Sequence, residues 1–140
     1  MSDARLSVEQ IQATFDASPF LGFLGLKVVA LDHDASTLTV SMPMRPEFER
    51  RLGTGQFHGG PIAAFIDTVG DYAIGMALGG GVPTINLRVD YVRPAIGGSL
   101  TGTARVRRAG RTVALVDVDV YDEQQTLVAV GRGTYSGQRG

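Results

Sequence analysis

The sequence has no cysteine and no tryptophan among its 140 residues. Without cysteine there is no disulfide framework, no thiolate-ligated zinc and no thiol nucleophile. Charge of one sign is lacking too. Thirteen Lys and Arg against 14 Asp and Glu leave a formal net charge of −1, so no general electrostatic pull toward nucleic acid exists. No long apolar run is free of charge. The longest, Pro61 to Leu78, contains Asp67 and Asp71, and a membrane helix rarely carries two carboxylates mid-span. The opening MSDARLSVEQ lacks the apolar core of a signal peptide, which makes a cytoplasmic location the expectation. His33 and His58 lie far apart and suggest no metal site, and no cofactor is expected. No serine sits in a G-x-S-x-G elbow. Gly79-Gly80-Gly81 lacks the Lys-Ser/Thr of a phosphate loop.

What is present suffices for a core: 44% of residues are hydrophobic and 19% charged. The length fits one domain, 1–140, with 1–20 as an N-terminal helix and lead-in. Ser7-Val8-Glu9-Gln10 reads as a capping box. Val8, Ile11 and Phe15 follow at helical spacing to about Ala17, and Ser18-Pro19 ends that helix. Leu26 to His33 and Thr37 to Met44 read as strands, with Pro43 marking a sheet edge or bulge. Residues 45–57 form a long polar loop of the kind that often carries function. After His58-Gly59-Gly60-Pro61 a helix runs to about Leu78, apolar nearly all round and therefore buried. The remainder alternates with period two and turns at 96–99, 109–110 and 122–125, an antiparallel meander. The expected architecture is α+β: a long central helix wrapped by a roughly six-stranded antiparallel sheet. So short a chain leaves apolar strand surface for a second subunit to cover.

Three features could do chemistry. His58-Gly59-Gly60 opens a helix whose first N–H groups lack internal partners, and glycine lets a ligand oxygen come close. Such a place can bind a carbonyl becoming an oxyanion, or the glycines can simply make the turn. Asp67 lies inside an apolar helix, where a carboxylate is costly unless paired or used. Asp71 follows at i+4 on the same face, where like charges resist joint ionisation, or it reaches solvent or a partner. Arg105, Arg107, Arg108 and Arg111 surround one hairpin. They are either a solvated turn or a phosphate-binding cluster. Phe57, Phe65 and Tyr72 could line an acyl pocket.

His58-Gly59-Gly60, Asp67 nine residues after the histidine, and the strand Thr84 to Val92 ending in Tyr91-x-x-Pro94 together resemble the hot-dog-fold thioesterases of the phenylacetic acid degradation (PaaI-like) type, over about Leu24 to Tyr135. The resemblance implies a hydrolase that splits an aromatic or medium-chain acyl-CoA into acid and CoA. It implies Asp67 as general base or nucleophile, the Gly59 N–H as donor to the thioester oxygen, His58 as loop-orienting residue and Thr84 as the hydroxyl that positions water. Gly60, Gln56, Arg107, Arg108 and Arg111 are the expected substrate contacts. Active sites are expected between subunits of a homodimer or homotetramer. Relatives carry Asn or Gln about six residues before the histidine. Here that place is Leu52, with Gln56 nearby, and relatives more often have a small residue or a hydroxyl at Asp71. The alternatives are a non-catalytic acyl-CoA-binding module and an acyl-CoA dehydratase. A buried carboxylate speaks against the first, and the second uses a different Asp/His motif.

Overall fold

The computed structural model describes residues 4–140. Helix α1 (Val8–Ala17) starts at the expected capping box: the Ser7 hydroxyl accepts from Gln10 N–H, and the Gln10 side chain accepts from Ser7 N–H. Ser18 ends α1 and also caps a second, short helix that the sequence reading missed, α2 (Pro19–Leu24). Proline at a helix's first position costs no hydrogen bond, so the residue read as a stop is here also a start.

Strands β1 (Lys27–Asp32) and β2 (Thr37–Pro43) form a hairpin. Pro43 pairs with Ser99 beyond the last β1 partner, Ser41. A residue without an N–H is tolerated there because no strand flanks it on that side. The long helix α3 (Gly59–Leu78) follows, then β3 (Thr84–Tyr91), β4 (Ser99–Ala109), β5 (Val113–Tyr121) and β6 (Leu127–Ser136). All neighbours are antiparallel, in the order β1-β2-β4-β5-β6-β3. The meander holds for β4-β5-β6 alone, because β3 crosses over to pair with β6 at the far edge.

One face of the sheet wraps α3, which touches β2 through β6. Alternate residues bury themselves there: Leu38, Val40 and Met42, then Leu100 and Ala104, then Val116, Val118 and Val120. Each buried Leu, Val or Phe contributes about 1.5–3 kcal/mol relative to exposure. The opposite face is polar. Arg132 grips Asp117 with two hydrogen bonds, and Arg107 approaches the same carboxylate at 3.6 Å. The two sheet edges differ. At β1, Gln12 of α1 takes the place of a neighbouring strand, donating to Leu26 O and accepting from Val28 N–H. At β3, among the described residues, nothing lies beyond, and Ile85, Tyr91 and Val92 are exposed.

Candidate active site

The start of α3 is fixed from outside. Phe57 N–H donates to Ala95 O at 2.9 Å, and His58 N–H donates to Phe48 O at 2.7 Å. Phe48 and Phe57 are both buried. These clamps start the helix at Gly59, two residues earlier than its composition suggests, with His58 as an extended N-cap. The His58 ring makes no capping bond and is exposed. It is the backbone of His58, through Phe48, that orients the loop. Pro61 has no N–H, so the donors left free in the first turn belong to Gly59 and Gly60. Both sit at the positive end of the α3 dipole.

Tyr91, at the end of β3, closes over this point. Its hydroxyl donates to Gly59 O at 2.7 Å, and a Cβ on Gly59 would meet its ring at 3.1 Å. Gly60 by contrast faces open space. Beside them lies a cleft of about 400 Å³, bordered by Arg50, Gln56, Ile62, Tyr91 and Arg93. Gln56 is half-buried there, whereas Leu52 projects from the loop at 81% exposure. Of the three aromatics expected near the acyl group, Phe57 borders the cleft, but Phe65 and Tyr72 belong to the core. Tyr91, Arg50 and Arg93 were not singled out from the sequence. Tyr91 stood in the Tyr-x-x-Pro motif, but nothing local shows that it folds back onto Gly59.

Asp67 lies two turns further along α3 and accepts from the Thr84 hydroxyl at 2.8 Å. It is half-buried, not fully buried as expected. It sits beside β3, the outer strand, and among the described residues nothing covers that side. Tyr135, fully buried, donates its hydroxyl to the Asp67 carbonyl at 3.0 Å, and burial raises its pKa. Asp71 turns inward, not to solvent. Its Oδ1 accepts from Val82 N–H at 2.7 Å. Burial pushes its carboxyl up to about 6, with the Asp67 charge adding to the effect and the Val82 bond opposing it.

Thr84 and Asp67 are thus brought together, and Gly59 and Asp67 are not. Eight residues of helix separate them, about 12 Å of rise. The expected phosphate cluster is elsewhere within the chain. Arg107 pairs with Asp117 on the outer sheet face, Arg108 is exposed at the end of β4, and Arg111 borders a separate hollow with Met76 and Leu78. The β4–β5 hairpin meets α3 at its C-terminal end, and the cleft lies at its N-terminal end, roughly 20 Å away along the axis. Adjacency in sequence had grouped these arginines without showing which end of the helix they reach.

The thioesterase superfamily matches residues 54–129. The chain is 37% identical over 148 residues to a Halobacterium salinarum protein whose name marks it as a candidate esterase, covering 95% of this chain and 93% of the relative. It is 30% identical over 114 residues to the acyl-coenzyme A thioesterase PaaI of Escherichia coli, covering 79% and 76%. A solved structure described as from the thioesterase superfamily superposes with TM-score 0.85 at 31% identity, over 96% of this chain and 98% of that one. Helix, sheet and these likenesses together define the class: the chain belongs to the thioesterase superfamily, with the hot-dog fold. Within it the chain is a thioester hydrolase of the PaaI-like type.

Proposed function

We propose that the chain hydrolyses acyl-CoA esters, aromatic or medium-chain, with Asp67 as the catalytic carboxylate. The observation that carries this is the Asp67–Thr84 pair: a half-exposed carboxylate held by a hydroxyl on the flank of an apolar helix. The thioester oxygen accepts from Gly59 N–H, whose partial positive charge favours the developing oxyanion. Asp67 takes a proton from water as the water oxygen bonds the carbonyl carbon, or it attacks that carbon itself to form an acyl anhydride that water later splits to the free acid and Asp67. The C–S bond then breaks and the CoA thiolate leaves. His58 keeps Gly59 in place through its backbone, and Gly60 leaves the approach open. Gln56 reaches the cleft as the side chain available to orient water or substrate where relatives use Asn or Gln. A cytoplasmic location fits a CoA ester substrate.

Twelve ångströms between Gly59 and Asp67 exceed the span of one thioester carbonyl. The reading therefore places Gly59 of one subunit opposite Asp67 of another, across the open β3 edge, in a homodimer or homotetramer. The test is a panel of acyl-CoA esters with wild type and Asp67→Asn. The expected loss in kcat is about 10²-fold or more, the worth of a general base, at unchanged Tm. A variant that keeps most of its activity rejects the assignment.

Arg50 and Arg93 are the guanidinium groups on the cleft within a chain, and Arg107, Arg108 and Arg111 reach it only if another subunit brings them. Phosphates far from the reacting carbon contribute uniform binding, so the pair that meets them raises KM and spares kcat when changed to Ala. We expect this of Arg50→Ala and Arg93→Ala, with KM rising in salt. The same effect from Arg107→Ala and Arg111→Ala alone assigns the phosphates to the hairpin.

A further inference from the structure

Asp67 and Asp71 stand one turn apart on one side of α3. Each receives a hydrogen bond from the same stretch of chain, the connection into β3: Val82 N–H donates to Asp71 at 2.7 Å, and two residues later the Thr84 hydroxyl donates to Asp67 at 2.8 Å. The connection is tied at both ends. Gly79, left-handed at φ +92°, and Gly80 both donate to Gly75 O, and Pro83 O accepts from Ser136 N–H. Its middle is Gly80-Gly81, which has no side chains to fix its path. Val82 is buried, so its N–H needs an acceptor inside the protein. That acceptor is Asp71, and the fit is close: a Cβ on Gly81 would stand 3.4 Å from Asp71 Oδ1.

We propose that Asp71 is a positioning residue, which holds Val82 and so sets where Thr84 presents its hydroxyl to Asp67. The inference rests on Asp67 being the catalytic carboxylate. It gives Asp71 a task that a solvent-facing or merely tolerated charge would not have. Gly75 O holds the start of the connection, and Asp71, one turn after Asp67, holds the part next to Thr84 without touching the reacting groups.

The test is a double-mutant cycle in kcat and KM, using Asp71→Ala, Thr84→Ala and both together. Asp71→Asn serves as the conservative variant and Asp67→Asn as the control. Asp71→Ala is expected to lower kcat about tenfold with KM within about twofold, because the loss is in the transition state. Asp71→Asn keeps an oxygen for Val82 N–H and should restore kcat to within about threefold. If Asp71 acts through Thr84, adding Asp71→Ala to Thr84→Ala changes kcat by less than about twofold. A purely structural role would lower Tm but leave the two losses additive. Full activity in Asp71→Ala, or additive losses, overturns the proposal. An active Asp67→Asn removes the reading beneath it instead, and the control separates the two failures.

Discussion

Burial holds the Asp71 carboxyl at a pKa of about 6, against an ordinary value of 3.8. Between those values the folded chain keeps a proton that the unfolded chain has released. The associated stability is therefore fully present below about pH 3.8 and is lost as pH rises through about 6. Asp71→Asn removes this dependence while keeping an oxygen for Val82. At neutral pH the variant should be more stable than wild type by roughly 2–3 kcal/mol, and the advantage should shrink toward zero near pH 4. Urea unfolding of both proteins at the two pH values measures it. An equal difference at both would mean that the ionised carboxylate carries no burial cost. The residue thus stands where stability and activity pull apart: the carboxyl group whose oxygen holds the Thr84 connection weakens the fold once it ionises.

The contact between α3 and β6 depends on small residues. Tyr135, on β6, lies with its hydroxyl against Gly70 of α3 and its ring over Gly133, and the same hydroxyl reaches the Asp67 carbonyl. A methyl group at position 70 would displace that ring. Gly70→Ala should cost about 1–3 kcal/mol, as overpacking does, although alanine is the better helix former. Thermal unfolding decides: a raised Tm would mean that the ring yields easily. Local signals were enough for some elements. The capping box gave the start of α1, period-two alternation gave the strands, and Gly79 gave the end of α3. Other features depend on distant parts of the chain. The start of α3 is set by Ala95 and Phe48 against the propensity of two glycines, and the place of β3 at the edge is set by its pairing with β6. Asp67 was recognisable from its apolar neighbours. Its half-exposure was not, because that follows from strand order. For the arginine hairpin, sequence shows a cluster but not the end of the helix it joins.

At the scale of the whole molecule, the proposed reading makes each site a joint product of two chains. Light scattering should show at least a dimer at micromolar concentration. A mixture tests the sharing more directly. Asp67→Asn lacks the carboxylate, and Gly59→Pro lacks the N–H donor, and each alone should be inactive. Refolded together in equal amounts, they should regain about a quarter of wild-type activity, since half the dimers are hybrids with one complete site of two. No recovery would place both groups of each site in one chain. The open edge of β3 then bears on how such an enzyme behaves when it is scarce. Below the dissociation constant of the pair, the number of working sites follows the square of chain concentration by mass action. Specific activity would fall on dilution and climb again as acyl-CoA bridges the two halves. At low expression the rate would respond to the amount of protein as a threshold, with no separate regulator needed.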